Sequence, residues 1–214
     1  MATTWTSAFG RACAVLLDQI VRLLALARIN PNFLTFLGLV VNIVAAFLFG
    51  YANVDNQAKM FRYAGLVIIG SGFFDLVDGR VARASNRVSR FGAFFDSVVD
   101  RYSDATQFLG LLVFYSRGGR FQYVILAAVV MISTIMVSYT RARAESLIDT
   151  CKVGFMERPE RLVLVIIGAL FNRMAPVLWL IATLSTITVI HRVQYTWYRT
   201  RLMEANASQS GQAA

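Results

Sequence analysis

The chain alternates long apolar runs with short polar or basic segments. The first run extends from Phe33 to Tyr51, which is close to the ~20 apolar residues that a helix needs to cross a bilayer. Five further runs cover residues 63–78, 91–115, 121–139, 162–171 and 175–190. The fifth run in the chain is short for a span, and a start further upstream, within 157–161, would lengthen it. The pattern predicts an all-α integral membrane protein with six transmembrane helices.

A different pattern precedes the first span. Within residues 1–29, apolar and charged residues alternate, and no small-residue cleavage site follows them. This arrangement predicts an amphipathic juxtamembrane helix at the membrane interface rather than a signal peptide. Residues 205–214 are small and polar and predict a disordered tail. We therefore expect a single membrane domain, 1–204, with its six-helix bundle in 33–198.

Composition and charge agree with a membrane protein. Of the 214 residues, 57% are hydrophobic and 15% are charged, which excludes an ordinary soluble domain. The 21 Lys and Arg against 12 Asp and Glu give a net charge of +9. Most arginines fall between the second and third spans, between the fourth and fifth, and after the sixth. Since basic residues favour the cytoplasmic side, we expect both termini to face the cytoplasm. The protein is expected in the cell (inner) membrane, and no nucleic-acid partner is expected.

Five aspartates interrupt this apolar pattern, in and beside the second and third predicted spans: Asp75, Asp78, Asp96, Asp100 and Asp104. A carboxylate at membrane depth is costly unless it faces protein, water or a cation. Residues three or four apart share one face of a helix, so the first two aspartates form one pair and the next two form another. The short connection between the spans predicts antiparallel neighbours, with both pairs near one membrane surface.

Four carboxylates in one place repel each other unless a cation lies among them. Oxygen ligands alone suit Mg²⁺, Mn²⁺ or Ca²⁺, and the four acidic residues are enough for two ions. Asp104, one turn after Asp100, is expected to pair helices or to support the site rather than to bind metal. The sequence therefore predicts a site for hard divalent cations.

The residues after Asp78 indicate what such cations would serve. Gly79 lies where the second span is expected to end, and a residue without Cβ lets a ligand approach the backbone. Arg83, one turn further, is suited to a bidentate contact with phosphate. An alternative from a different class is a cation transporter that uses the aspartates as its binding site. The fixed positive charge of Arg83 argues against a cation pathway, so phosphate chemistry is favoured.

The same residues carry a family resemblance. From Asp75 the chain reads DLVDGRVAR, then eight residues, then GAFFDSVVD ending at Asp100. This resembles the signature of the CDP-alcohol phosphotransferase (phosphatidyltransferase) family, DxxDGxxARx8GxxxDxxxD, at all eight fixed positions. The resemblance implies a six-helix membrane enzyme, usually a homodimer, with an amphipathic N-terminal helix and a site that faces the cytoplasm.

The resemblance also implies roles for individual residues. A pair of Mg²⁺ or Mn²⁺ ions would be bound by Asp75, Asp78, Asp96 and Asp100. Asp100 would also accept the proton of the attacking hydroxyl. The CDP-lipid would be held by Asn32, Phe33, Leu34, Thr35, Gly79, Ala82, Arg83 and Ser89.

The second half of the chain narrows the acceptor. The stretches SYTRARAE from Ser138, GFMERPERL from Gly154 and HR ending at Arg192 resemble the phosphatidylinositol phosphate synthases of this family. In that subgroup a serine and three basic residues bind inositol phosphate. The matching residues here are Ser138, Arg141, Arg161 and Arg192, and the subgroup often has lysine where this chain has Arg141. Arginines at the ends of three separate spans are also a reasonable anion pocket on physical grounds.

The sequence as a whole predicts a transferase of phospholipid biosynthesis. It would transfer the phosphatidyl group of CDP-diacylglycerol to inositol 1-phosphate and release CMP. Its partners would be these two substrates, the surrounding membrane lipids and a second copy of the chain. Within the family, another acceptor (glycerol 3-phosphate or inositol) or an ether-lipid donor remains open at this point, and the cation transporter is the alternative outside it.

Overall fold

A computed structural model of the protein describes residues 19, 21, 23, 30–85 and 87–212, with side chains described up to 206. Within these ranges the structure is helical and contains no strand. Its six long helices are α1 (Pro31–Tyr51), α2 (Gln57–Ala84), α3 (Arg90–Arg117), α4 (Phe121–Ala144), α5 (Arg158–Leu170) and α6 (Met174–Gln212). The predicted juxtamembrane helix, 1–29, lies outside the described residues except for Gln19, Val21 and Leu23, which are helical.

Four helices in the described part of the chain are long and apolar enough to cross a membrane: α1, α2, α4 and the Met174–Asn206 part of α6. Along α1, Phe36, Val40 and Val44 are exposed at four-residue intervals, which is the pattern of a lipid-facing stripe. Among the described helices, α3 and α5 do not meet the same criterion. Helix α3 carries many charged residues, and α5 has 13 residues, or about 20 Å of helix.

Three helix ends differ from, or refine, the sequence prediction. Helix α2 continues through Gly79 to Ala84, so Gly79 does not end the span, because Val81 on the following turn is fully buried and extends the apolar face. Helix α5 begins at Arg158, within residues 157–161, where the sequence pattern allows the fifth span to start. Helix α6 extends through Gln212, so 205–212 is helical where the sequence predicts a disordered tail. Those residues include no proline, and a long helix propagates readily through such a segment.

The chain divides into two compact units. We call residues 1–44 with 67–103 the carboxylate unit, and residues 45–66 with 104–214 the arginine unit. The carboxylate unit contains a buried cluster of Val21, Leu34, Val77 and Val81. In the same unit the Asn42 and Ser71 side chains are hydrogen-bonded to each other, and both donate to the carbonyl of Gly38. Buried hydroxyl and amide groups that bond across helices are a common means of helix association in membranes.

The arginine unit is built on close helix contacts. The ring of Phe61 packs edge-on against Phe49 and Phe114, with centroid distances of 5.0 and 4.9 Å. A Cβ at Gly110 would overlap the backbone of Ala46, so glycine lets α3 approach α1 closely. Helices α4 and α5 each pack against α6. These contacts position the loop and helix ends that carry the arginines of this unit.

Candidate active site

A cavity of about 270 Å³ opens in the carboxylate unit. It is formed by the start of α1, the end of α2, the segment that follows it and the start of α3. Of the eight residues that the sequence predicts for CDP-lipid binding, six line it: Asn32, Thr35, Gly79, Ala82, Arg83 and Ser89. The structure therefore brings residues separated by more than fifty positions around one space.

Two predicted CDP-lipid residues do not line this cavity. Phe33 is 57% exposed, whereas Leu34 is 5% exposed and belongs to the valine and leucine cluster. Successive residues on a helix point about 100° apart, so four consecutive residues cannot all face one ligand. Helix geometry selects Asn32 and Thr35 from that stretch.

The carboxylates of α2 and α3 meet at the same cavity. Asp78 and Asp96 both line it, and the Asp78 carboxylate interacts electrostatically with Asp96 and Asp75. Asp78 is 6% exposed and accepts a hydrogen bond of 2.6 Å from the Thr35 hydroxyl. Asp75 lies beside Gly38 of α1, and Asp100 is one turn along α3 from Asp96. The hydroxyl of Thr35 thus fixes one oxygen of a buried carboxylate.

The donor chemistry of this cavity fits a hard divalent cation. Two carboxylates from different helices reach the same space, and each helix carries a second aspartate three or four residues away. Carboxylate oxygens are the ligands that Mg²⁺ and Mn²⁺ prefer. Within the described ranges, no three His, Cys, Asp or Glu side chains are grouped closely enough to form a metal centre by themselves.

Sequence reasoning did not assign Pro31, Arg87 or Val88 to the cavity lining, whereas close helix packing at Gly92 agrees with its lack of a side chain. A Cβ at Gly92 would lie 3.1 Å from the Ser89 hydroxyl oxygen and 3.4 Å from the Asn32 amide oxygen. The Gly92 amide donates to the Ser89 hydroxyl at 2.9 Å. Glycine here lets the start of α3 lie against the lining residues. Arg87 lies beyond the end of α2 at Ala84, so helical spacing from Arg83 does not predict its place in the lining.

In the arginine unit, one predicted acceptor residue forms a buried ion pair. Arg161 is 3% exposed, and its Nη2 lies 2.6 Å from Oδ2 of Asp104. The Arg158 guanidinium lies 3.7 Å from the other oxygen of the same carboxylate. This agrees with the expectation that Asp104 pairs helices, here α3 with α5. The Asp104 carboxylate thus faces two guanidinium groups inside the protein.

The other two predicted acceptor arginines converge on one carboxylate. Oε1 of Glu157 accepts hydrogen bonds from Arg141 at 2.8 Å and from Arg192 at 3.1 Å. Arg192 is 1% exposed and also donates to the carbonyls of Val153 and Val137. Ser138 is half-buried and directly follows Val137 in α4. Sequence reasoning did not assign Glu157 a role in this site, because a glutamate next to arginines in the chain is typical of an ion pair on the protein surface.

Both the sequence and the fold resemble those of known proteins. A sequence model of the CDP-alcohol phosphatidyltransferase family matches residues 28–197. The archaetidylinositol phosphate synthase of Pyrococcus horikoshii is 37% identical over 178 residues, which cover 83% of this chain and 88% of that protein.

Two crystal structures of the phosphatidylinositol phosphate synthase of Mycobacterium tuberculosis share the fold. One has CDP-DAG bound and the other is in complex with manganese and citrate. Each matches with a TM-score of 0.76 and 30% identity, over 85% of this chain and 93% or 88% of the other.

The family match extends over most of the chain and includes every residue of the aspartate signature. Together with four helices able to cross a membrane, it shows that this multi-pass membrane protein belongs to the CDP-alcohol phosphatidyltransferase family and is a transferase enzyme.

Proposed function

We propose that this enzyme transfers the phosphatidyl group of CDP-diacylglycerol to inositol 1-phosphate, forming phosphatidylinositol phosphate and releasing CMP. The observation that carries the proposal is the combination of a complete aspartate signature with basic residues at all three arginine positions of the acceptor set. The Pyrococcus relative, at 37% identity, and the Mycobacterium tuberculosis structures, at 30% identity, are named as synthases of inositol phosphate lipids.

The donor would bind in the cavity of the carboxylate unit. Arg83 and Arg87 line this cavity and are suited to hold the diphosphate of CDP. Asp75, Asp78, Asp96 and Asp100 would hold two divalent ions, Mg²⁺ or Mn²⁺, which would offset the diphosphate charge and stabilise the leaving CMP. The cavity volume of about 270 Å³ is near the lower limit for ordinary small-molecule sites, which suits a headgroup whose acyl chains remain in lipid.

Asp100 is proposed as the general base. A carboxylate accepts the proton from the acceptor hydroxyl as that oxygen attacks the phosphorus nearest the lipid. Asp100 is half-buried and lies one turn from the cavity-lining Asp96. The hydrogen bond from Thr35 gives Asp78 a fixed orientation, which supports a binding role for Asp78 rather than proton transfer.

The acceptor phosphate is proposed to bind to Ser138, Arg141, Arg161 and Arg192. Arg141 and Arg192 both contact the Glu157 carboxylate, so the space between these two arginines already holds one anionic group. A guanidinium pair of this kind matches phosphate as well as carboxylate. Arg161 sits one helical turn after Glu157 at the start of α5.

The finer architecture belongs to the same proposal. We expect six membrane-crossing helices, α1 to α6, preceded by the juxtamembrane helix. Both termini and the active site would face the cytoplasm, and the working enzyme would be a homodimer. Cysteine accessibility at Asp55 and Glu204 would test the orientation, since these positions are expected on opposite sides.

A panel of acceptors tests the function directly. Purified protein with CDP-diacylglycerol and Mg²⁺ is offered inositol 1-phosphate, glycerol 3-phosphate, myo-inositol and water, and CMP release is measured. We expect release with inositol 1-phosphate only. Release with glycerol 3-phosphate and none with inositol 1-phosphate would refute the proposed acceptor while leaving the family unchanged.

An ether-lipid donor is a second candidate, favoured by the Pyrococcus relative, which is named an archaetidylinositol phosphate synthase. The same assay with a CDP-activated diether lipid in place of CDP-diacylglycerol distinguishes the two. A larger kcat/KM for the diether would assign the ether lipid as the donor.

A further inference from the structure

Glu157 is the point at which the arginines of the predicted acceptor site converge. The same oxygen, Oε1, accepts one hydrogen bond from Arg141 and a second from Arg192. All three guanidinium nitrogens of Arg192 are engaged, two of them by backbone carbonyls. Since only 1% of Arg192 is exposed, a ligand can reach its guanidinium only if a neighbouring group moves.

The charges around these arginines balance without any ligand. Arg141 also contacts Glu145 at 3.1 Å, so two guanidiniums are matched by two carboxylates. An incoming phosphate would find Arg141 and Arg192 already matched by carboxylates and would gain little from these two guanidiniums. A phosphate therefore binds well here only by taking the place of one carboxylate.

We propose that Glu157 is an internal anion that occupies the position of the acceptor phosphate until the acceptor displaces it. This inference rests on the proposed function, because it assumes that Arg141 and Arg192 bind the acceptor. It makes Glu157 a specificity-determining residue. An acceptor with a phosphate can replace the carboxylate, whereas a neutral alcohol has no charge with which to do so.

The structure favours Glu157 over Glu145 as the group that moves. Its side chain is 40% exposed, and it occupies the N-cap position of α5 with an extended backbone, φ −88° and ψ −179°. Its side chain does not cap that helix in this structure. A displaced carboxylate thus has a second favourable place nearby, the positive end of α5, where acidic groups are stabilised. Glu145 instead lies at the end of α4 and also faces the Cys151 amide at 3.4 Å.

The test compares Glu157→Gln with the wild-type full chain in detergent. Inorganic phosphate and inositol 1-phosphate are each titrated by calorimetry without CDP-diacylglycerol, so the measurement does not depend on turnover. Loss of a charge-assisted contact with a partly exposed partner predicts binding of both anions about 3- to 10-fold tighter in the variant. In the CMP-release assay, the KM for inositol 1-phosphate should fall and the KM for CDP-diacylglycerol should stay the same.

Glu160→Gln is the matched control. It makes the same change of charge three residues further along α5, at an exposed side chain, and it should alter anion binding by less than about twofold. Glutamine at 157 keeps an oxygen acceptor for the arginines, so the fold should be retained. Glu157→Asp keeps the charge on a shorter side chain, so its anion binding should lie between that of the wild type and that of Glu157→Gln. It provides the comparison if the glutamine variant does not fold.

Unchanged or weaker anion binding by Glu157→Gln would overturn the inference and would show that the carboxylate holds the arginines in place for the ligand. The proposed function fails separately. If the wild type releases no CMP with inositol 1-phosphate, the acceptor assignment is wrong, while the inorganic phosphate titration still decides whether Glu157 is the internal anion.

Discussion

The carboxylate unit and the arginine unit compensate their buried charges in different ways. In the carboxylate unit, Asp78 faces two other acids and is oriented by a neutral hydroxyl. In the arginine unit, Arg161 and Arg192 are at most 3% exposed, and each contacts an acid of the same unit. The acids around Asp78 thus gather at a cavity that Arg83 and Arg87 also line, whereas Arg161 and Arg192 of the arginine unit are each paired directly with an acid.

This difference indicates how each unit would bind its ligand. Like charges held together favour an added counter-ion, so the carboxylate unit is suited to take up cations. A balanced cluster has no such excess and must exchange an internal partner for the ligand. Single substitutions in each unit should separate these two behaviours.

Asp100→Asn should have the largest effect on turnover. If Asp100 is the general base, kcat for CMP release should fall about 10²- to 10⁴-fold, while the unfolding temperature in detergent should not decrease, because one like charge has been removed. Asp55→Asn, in the exposed loop before α2, is the control and should retain full activity. A variant that keeps more than a tenth of the wild-type kcat would contradict the assigned role.

Asp104→Asn should have the largest effect on stability. It leaves the buried Arg161 guanidinium without its charged partner at 2.6 Å, and breaking such a pair costs about 3–5 kcal/mol of unfolding free energy. Denaturant titration of the purified protein measures the loss. Asp149→Asn, also in the arginine unit but exposed, should change stability by less than about 1 kcal/mol. Similar stabilities for the two variants would show that the ion pair is not needed.

Thr35→Val should weaken metal binding without unfolding the protein. The substitution keeps the shape of the side chain and removes the hydroxyl that donates to Asp78. Loss of a group that orients a metal ligand typically lowers metal affinity about 10-fold or more. Mn²⁺ titration followed by electron paramagnetic resonance gives the affinity directly, and Thr35→Ser, which keeps the hydroxyl, should bind Mn²⁺ nearly as the wild type does. Equal affinities for valine and wild type would exclude this role of Thr35.

Arg141→Lys should have the smallest effect. Arg141 contacts Glu145 through Nε and Glu157 through Nη1, and a lysine cannot reproduce that fork. Since the positive charge remains, the KM for inositol 1-phosphate should rise only about 2- to 5-fold, with kcat unchanged. A change in the KM for CDP-diacylglycerol instead would place Arg141 in the donor site.

Local patterns were sufficient where one helix or one short segment decides the outcome. The aspartates at three- and four-residue spacing predicted two carboxylates on each of two helices, and the structure brings Asp78 and Asp96 to one cavity. The same local reasoning failed at Gly79, because burial of Val81 by neighbouring helices extends α2 past the glycine. It also included Leu34 among ligand residues, although packing buries that side chain in the core.

The amino-acid sequence by itself determined that this is a helical membrane protein with an acidic signature, since hydrophobic run length and helical spacing are properties of contiguous residues. The enzyme class followed from the resemblance of that signature to the family's. Only the tertiary structure decided which carboxylate pairs with which guanidinium group. Arg192 and Glu157 are 35 residues apart, and Arg161 and Asp104 are 57 residues apart. Such pairs form because helix packing brings an acid to a guanidinium that is almost fully buried, and no local pattern records that choice.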